Sequence, residues 1–277
     1  SNVTQNLKKA KLDWTISRQP MFTKEGVEID GFSSLTRSSD GRVMDVVGGR
    51  YVPTQNHQAF EFFLEFVEAG KAKMETIGQF GDGKFVWGLA NLAQSFEVAK
   101  GDKVHAYLLC VCPHKKGKSL VFKTTSIRPW CMNTLAQAVS EKTPAEWRMG
   151  HRVAFEGAKV EEARTTLGNA REQFFQFEKD AKKLNKIKMS TDDMVKVLNP
   201  IFNKDEAEDS RRMKQLIEAY EKAPGAVPGS AWGVLQATTY YADHIASRST
   251  DKRLMNAWIG RTAMQKELVL EKLLELA

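Results

Sequence analysis

The sequence predicts an α+β protein: an antiparallel sheet of hairpins with helices on one face, followed by an all-α C-terminal half. In the first half, glycine-bearing turns separate short β-prone runs at hairpin spacing. Beyond Glu141, alternation of β-branched residues ends and apolar residues recur every three or four positions, the period of a helix. We therefore expect an α/β hairpin-and-helix domain over residues 1–140 and a helical domain over residues 141–277.

Three turns predict three hairpins. The turn at Ser39-Asp40-Gly41 separates residues 32–37 from residues 43–47, because an Asp-Gly pair supplies the positive φ angles of a tight turn. A turn at residues 81–83 separates residues 74–80 from residues 85–89 in the same way. The third hairpin joins residues 104–111 to residues 120–127 through a loop at residues 113–118 that contains three lysines.

One apolar face predicts the main helix of the first half. Its residues fall at i, i+3, i+4 and i+7, and they are Phe60, Phe63, Leu64 and Val67. Asn56 is the expected N-cap of this helix and Gly70 its expected C-terminal stop. A second, short helix is expected over about residues 133–139, directly after the third hairpin.

The second half is predicted to be helical throughout. Apolar residues spaced by three or four between Val160 and Leu184 indicate one long helix or two nearly continuous ones. We expect further helices at residues 191–199, ended by Asn199-Pro200, and at residues 206–222. After a loop at residues 223–229, Ser230 should cap a helix through residue 246, and the last helix should cover residues 253–276.

The composition is that of a folded protein, with 42% hydrophobic and 27% charged residues. No run approaches about 18 apolar residues and no charged-then-apolar segment opens the chain, so we expect neither a membrane span nor export. Three cysteines without export favour reduced thiols. These features predict a soluble, cytoplasmic protein.

The charge balance favours a polyanionic partner. The net charge is +7 and the pI is about 9.2. Residues 1–140 hold 18 basic and 13 acidic residues, whereas residues 141–277 hold 23 and 21. Between Lys100 and Arg128 there are seven basic residues and one acidic residue, Asp102. Most of the excess positive charge therefore lies in and around the third hairpin.

The third hairpin is the leading candidate for a nucleic-acid-binding site. Three lysines at its tip, two basic residues on its return strand and an aromatic residue beyond it combine phosphate-seeking charge with a stacking surface. The alternative is an ordinary solvated loop. An Arg-Tyr pair that precedes the main helix is a second candidate, although it could equally brace that helix. The predicted binding residues are Lys115, Lys116, Lys118, Lys123, Arg128, Trp130, Arg50 and Tyr51.

The cysteines and histidines of this region predict neither a metal site nor catalysis. Cys110, Cys112 and His114 alternate on a strand and share a face, and Cys131 follows the return strand. Their C-x-C spacing does not wrap two ligands around one zinc ion, so small buried thiols are expected instead. Cys131 with His114 or His105 is the one nucleophile pairing to consider, and nothing local predicts that they meet. Walker A, Rossmann, H-E-x-x-H and nucleophile-elbow motifs are absent. We expect no cofactor, no metal and no enzyme activity.

Several spaced segments resemble one protein family. They are Arg50-Tyr51-Val52-Pro53-Thr54-Gln55-Asn56 with Ala59-Phe60, Val86-Trp87-Gly88-Leu89-Ala90 with Leu92, Arg128 through Cys131 to Asn133-Thr134-Leu135, Gly229-Ser230-Ala231-Trp232, and the region of Arg261. Together they resemble the phage/plasmid-like proteins that contain domain of unknown function 932, over roughly residues 30–275. The resemblance implies a phage, prophage or plasmid gene. The third hairpin departs from the family, because Pro113 and three lysines replace a small polar turn.

Two hypotheses of different classes follow. The first is a nucleic-acid-binding protein of a mobile element, which binds without sequence preference because lysine contacts to phosphate carry no base identity. The order of elements in the first half is similar to that of phage single-strand annealing proteins, a likeness of topology alone that suggests a single-strand annealing or recombination accessory factor. The alternative is a protein-protein interaction factor that acts on a host or phage protein through its amphipathic helical half. The preferred polymer, DNA or RNA and single or double strands, is left open, and so is homo-oligomerisation.

Overall fold

The computed structural model describes residues 3–69, 73–128, 133–135, 146–202 and 206–277. These residues form two units. The first unit takes the described residues of Ser1–Ala93, Tyr107–Thr124 and Pro144–Asn169, and the second those of Gln94–Ala106, Thr125–Thr143 and Ala170–Ala277. The predicted boundary at residue 140 falls within residues 136–145, which lie outside the described part, so it stays a prediction.

The first sheet has three antiparallel strands in the order β1-β2-β3, and these are β1 (Ile16–Phe22), β2 (Glu28–Arg37) and β3 (Val43–Gly48). The β2–β3 hairpin confirms the first predicted hairpin, and Gly41 in its turn has a φ of 70°. Arg37 on β2 donates to both carboxylate oxygens of Asp40, at 2.9 and 2.6 Å. This hydrogen bonding lowers the pKa of Asp40 to about 2. β1 was not predicted.

The second sheet contains β4 (Lys73–Phe80), β5 (Phe85–Glu97), β6 (Lys103–Pro113), β7 (Ser119–Arg128), β8 (Asn133–Leu135) and β9 (Glu146–Gly150). The strand order is β4-β5-β6-β7-β8, and β9 also pairs with β7. β4–β5 and β6–β7 confirm the second and third predicted hairpins.

One sequence-based prediction about this sheet was wrong, and one of its strands was not expected. Residues 133–135 form a strand instead of the start of a helix, because Leu135 pairs with Ser126 at the end of β7; residues 136–139 lie outside the described part. The predicted fold class, antiparallel sheet followed by a helical half, is confirmed, and the one strand after residue 141 in the described part is β9, which pairs with β7 from Ser119↔Gly150 to Lys123↔Glu146. Both strands are short and depend on β7 as a partner.

The first unit also contains α1 (Val3–Lys9), α2 (Asn56–Ala69) and α3 (Ala158–Gly168). The predicted apolar face of α2 is buried, and Phe60 on it packs against Gly88 of β5. Asn56 is not the N-cap that the sequence predicted, because its side-chain amide donates to the Leu12 carbonyl at 2.9 Å. At the start of α2 it is the side-chain oxygen of Gln58 that accepts from the backbone N–H of Gln55, at 2.9 Å. The expected stop at residue 70 lies outside the described part. The core continues with an aromatic cluster of Phe62, Phe122, Trp147 and Phe155.

The second unit is built mainly from helices. They are α4 (Ala170–Lys186), α5 (Thr191–Phe202), α6 (Glu206–Lys222), α7 (Ala231–Tyr240), a π-helix (Tyr241–Ile245), α8 (Thr250–Ile259) and α9 (Arg261–Glu275). Of the two alternatives predicted for residues 160–184, the structure has two nearly continuous helices, α3 and α4, which are divided at Asn169. α5 passes through Pro200 instead of ending before it. Ser230 caps α7 as predicted, accepting from Gly233 at 3.0 Å. The last predicted helix is divided at Gly260 into α8 and α9.

The interior of the second unit combines aromatic packing with one buried ion pair. Phe177 and Trp232 are fully buried with ring centroids 6.2 Å apart. The Lys266 ammonium lies 3.3 Å from the Asp243 carboxylate, and both side chains are 2% exposed. Within the described residues, no helix is sufficiently long and apolar to cross a bilayer.

Candidate nucleic-acid interface

A groove of about 890 Å³ lies on the first unit, where three separate parts of the chain meet. The end of β3 and the residues after it supply Gly48–Tyr51, the β6–β7 hairpin supplies Lys116–Ser119, and β9 and its following turn supply Arg148–Val153. Lys159 in α3 completes the lining. The groove is therefore assembled from residues that are far apart in the sequence.

Backbone pairing brings these three parts together. β9 lies beside β7, with Ser119 paired to Gly150, so the tip of the third hairpin and the end of β9 share one edge. The backbone N–H of Val52 donates to the His151 carbonyl at 2.9 Å, which ties the residues after β3 to the end of β9. The backbone N–H of Lys116 donates to the Asp45 carboxylate at 2.8 Å, which ties the hairpin tip to β3.

The lining of the groove is strongly basic. It contains six basic side chains and no acidic one, and the basic residues are Arg50, Lys116, Lys118, Arg148, Arg152 and Lys159. Arg148 pairs with Glu146, and Lys159 lies 2.5 Å from Glu162. The other four make no ion pair within the described part of the chain, and all four are exposed. Uncompensated positive charge in a concave site attracts polyanions.

A stacked ring pair lies in the wall of the groove. The rings of Tyr51 and His151 are 4.7 Å apart between centroids at 20°. His151 is 5% exposed, and its Nδ1 donates to the Val52 carbonyl at 3.3 Å. Burial lowers the pKa of His151, and burial also raises the pKa of Tyr51, so both rings favour their neutral forms. His151 Nε2 and the Tyr51 hydroxyl are buried and make no hydrogen bond within the described part.

Four of the predicted binding residues line this groove: Lys116, Lys118, Arg50 and Tyr51. The two candidate segments, the third hairpin and the Arg-Tyr pair, therefore belong to one surface. Lys115 is also exposed at the hairpin tip but is not part of the lining.

The remaining predicted residues are Lys123, Arg128 and Trp130. Lys123 is 7% exposed, and its Nζ lies 3.5 Å from Glu146, so this lysine is a buried ion-pair member and is withdrawn from the binding surface. Arg128 ends β7 with its backbone paired to Asn133, and its side chain lies outside the described part. Trp130 lies outside the described residues as well.

The sequence reasoning missed Arg148, His151, Arg152 and Lys159. A signal for the first three was present, because apolar Trp147 and Met149 alternate with Arg148 and Gly150 just before His151 and Arg152. Such alternation is typical of a half-buried strand. It was overlooked because β structure was not expected after residue 141. Nothing in the sequence near Lys159 indicates its position in the groove.

The buried thiols and His114 have structural roles. Cys110 and Cys112 are free thiols at 0% exposure, and burial raises the pKa of Cys112 to about 12. Cys112 Sγ donates to the Thr54 carbonyl at 3.8 Å. His114 Nε2 donates to Asn56 Oδ1 at 2.8 Å, and burial lowers the pKa of His114 to about 3. Cys131 lies outside the described residues. Within the described part, no three His, Cys, Asp or Glu side chains gather as metal ligands.

Comparison with known proteins identifies a family. No curated protein and no solved structure matches the chain. One family, described as a domain of unknown function, matches over residues 43–258, more than three quarters of the chain. This stretch includes every residue that lines the groove, from Gly48 to Lys159. The chain belongs to the DUF932 family.

Proposed function

We propose that this protein binds nucleic acid and that the basic groove holds the phosphate backbone. One observation carries the proposal: four exposed cations without ion-pair partners in the described part, Arg50, Lys116, Lys118 and Arg152, line one groove that has no acidic residue. Folding does not require these charges to be neutralised, so they stay available for a polyanion. Phosphate neutralisation by Lys and Arg supplies most of the affinity of non-specific nucleic-acid binding.

The two kinds of cation act differently on a phosphate. Arg50 and Arg152 present planar guanidinium groups that can bind two oxygens of one phosphate, while Lys116 and Lys118 act as point charges on flexible stems. None of these contacts identifies a base, so binding without sequence preference is expected. The groove is assigned to binding and not to chemistry, because the Tyr51 hydroxyl is buried with a raised pKa and is a poor nucleophile.

The biological setting that we propose is a phage, prophage or plasmid gene expressed in the bacterial cytoplasm. Its support is the resemblance to phage/plasmid-like proteins in segments such as Arg50–Asn56 and Gly229–Trp232. A single-strand annealing or recombination accessory factor fits this setting, since such factors hold nucleic acid by its backbone and need no sequence preference.

The test is direct binding of the purified protein to labelled single-stranded and double-stranded DNA and RNA over a range of salt concentrations. We expect affinity that falls linearly with the logarithm of salt concentration, as counterion release requires. Absence of binding to every one of these polymers at low salt contradicts the proposal.

A second candidate function is protein-protein interaction through the helical unit, including self-association. The observation that favours it is an apolar row on α9, where Met264 is 65% exposed and Leu268 is 47% exposed one turn later. A pull-down from host lysate with and without nuclease separates the two functions. Partners that nuclease removes favour the nucleic-acid function, whereas one stoichiometric protein that persists favours the interaction function.

A further inference from the structure

The outer face of the three-stranded sheet is free of charge along its central part. Antiparallel register places Ser17 beside Thr36, Gln19 beside Ser34, and the β3 residues beside β2, so their side chains share one face. Along this part of the sheet the face consists of Ser17, Gln19, Phe32, Ser34, Thr36, Val43, Val46 and Gly48. Two exposed acidic residues, Glu28 and Asp30, lie on β2 beyond Gly31, and Asp30 is two residues from Phe32.

One aromatic ring stands out on this face. Phe32 is 48% exposed; on the same face, Val46 opposite Ser34 is 37% exposed and Val43 opposite Thr36 is 54% exposed. The residue two positions along on this face, Ser34, and the register partner, Gly48, are small, so neither has a large side chain that could cover the ring of Phe32. An exposed phenylalanine on a strand gains nothing for folding from its solvent-facing surface.

This face and the basic groove share the end of β3. Phe32 is the register partner of Gly48, which lines the groove, and paired residues of an antiparallel sheet have Cα atoms about 4.5–5.5 Å apart. The next residue, Gly49, also lines the groove and donates its N–H to the Gly31 carbonyl at 2.9 Å. The end of β3 lies between Phe32 on β2 and the cations of the groove, and β3 is the edge strand of this sheet.

An exposed aromatic ring near the basic groove matches the two chemical features of a single-stranded nucleic acid, its phosphates and its bases. A single-stranded nucleic acid carries phosphates along its backbone and leaves the faces of its bases free, so it can contact cations and stack on a ring at once. A duplex has the same phosphates, but its base faces are stacked inside the helix. A protein partner could cover Val43 and Val46, but the adjacent cations without ion-pair partners in the described part favour a polyanion that also has apolar faces.

We propose that Phe32 is a base-stacking residue and that the groove and the sheet face together bind single strands in preference to duplexes. This inference rests on the proposed nucleic-acid function and gives it a substrate class. The cations of the groove hold the backbone, while one base lies on Phe32. Stacking does not depend on base identity, because every base presents a π-face.

The test compares Phe32→Ala with wild type and with Phe175→Ala, a matched control. Phe175 is 54% exposed on α4 and does not line the groove, so its substitution removes the same side chain at similar exposure. Labelled oligothymidylate and a duplex of the same length are the probes. Phe32→Ala should weaken oligothymidylate binding by about five- to 150-fold, the usual effect of losing one aromatic stacking partner. Duplex affinity and the salt dependence of single-strand binding should both stay at wild-type values, since phenylalanine displaces no counterion.

Two further variants at the same position separate stacking from loss of fold. Phe32→Tyr keeps the ring and should retain binding, whereas Phe32→Leu keeps an apolar side chain on the strand but should bind as weakly as Phe32→Ala. Circular dichroism of each variant reports whether the fold is kept.

The possible failures are distinguishable. If wild type binds no polymer at all, the proposed function fails and this inference fails with it. If wild type binds but prefers the duplex, or if Phe32→Ala and Phe32→Leu bind oligothymidylate like wild type, only the inference is overturned. In that case a concentration-dependent sedimentation coefficient, lost in Phe32→Ala, would assign the face to contact between two copies of the chain.

Discussion

The groove makes a quantitative prediction that depends on two neighbouring positions of one loop. Lys116 and Lys118 line the groove, while Lys115 at the same hairpin tip does not, although all three are exposed. The double substitution Lys116→Ala with Lys118→Ala should therefore weaken nucleic-acid binding, and Lys115→Ala should leave it nearly unchanged. The variants differ little in their effect on folding, because exposed loop substitutions usually change stability by less than about 0.5 kcal/mol.

The magnitude follows from counterion release. Each phosphate contact contributes about 0.7 to the slope of log affinity against log salt concentration on a single strand, and about 0.9 on a duplex. The four cations without ion-pair partners in the described part, Arg50, Lys116, Lys118 and Arg152, would give a single-strand slope of about −2.8. A fourfold rise in salt would then lower affinity about 50-fold in wild type but only about sevenfold in the double variant, whose slope would be about −1.4.

The assay is fluorescence anisotropy with a labelled oligonucleotide between about 50 and 200 mM salt. Circular dichroism and a melting curve serve as folding controls for each variant. A double variant with the wild-type slope, in a folded protein, refutes the assignment of the groove. A Lys115→Ala variant whose slope falls as far as that of the double variant refutes it too, because the loop as a whole would then be responsible.

Three further predictions concern stability, each measured by denaturant unfolding. The pKa of His114 is lowered from 6.5 to about 3, so between these values the folded protein keeps the ring neutral while the unfolded chain takes up a proton. The contribution of His114 to stability is therefore full above about pH 6.5 and falls by about 1.4 kcal/mol per pH unit down to about pH 3. This loss should be smaller in His114→Gln. Lys266→Met should cost about 3–5 kcal/mol by leaving the buried Asp243 carboxylate without this cation, and adding Asp243→Asn should restore part of that loss. Gly88→Ala should cost about 1–3 kcal/mol because its new Cβ would lie 2.7 Å from an aromatic carbon of α2, whereas Gly168→Ala meets no atom within 4 Å and should not. An equal pH dependence in His114→Gln, a neutral Lys266→Met, or a tolerated Gly88→Ala would each contradict the corresponding packing argument.

The hairpins and most helices could be predicted because their signals are local. Gly41, Gly81 and Gly83 all have positive φ angles in the turns where glycine was expected to permit them. Ser230 caps α7 with its own side chain, another interaction that spans only three residues. Where a few neighbouring residues determine the conformation, the sequence pattern and the structure agree.

The misassigned elements are those whose conformation depends on a distant partner. Residues 133–135 and 146–150 are short, and each is a strand because β7 supplies its hydrogen bonds. Asn56 has an amide that suits an N-cap, but it is buried at 1% exposure and bonds to Leu12 and His114 instead. Local propensity was overridden in both cases by long-range pairing, which no window of the sequence contains.

The groove illustrates the same limit within a single hairpin. Lys118 and Lys123 belong to one basic segment of the sequence. Lys123 lies in β7 between two paired strands and is neutralised by Glu146. Lys118 lies in the loop before β7 begins and is exposed. A charge inside a sheet must be paired because burial of an unpaired ion is costly, but a charge beyond the last pair of the ladder need not be. The net charge of a segment therefore overstates its binding charge by the number of cations that the sheet buries. Locating the strand ends, here at Pro113 and Ser119, decides which lysines remain available to a phosphate.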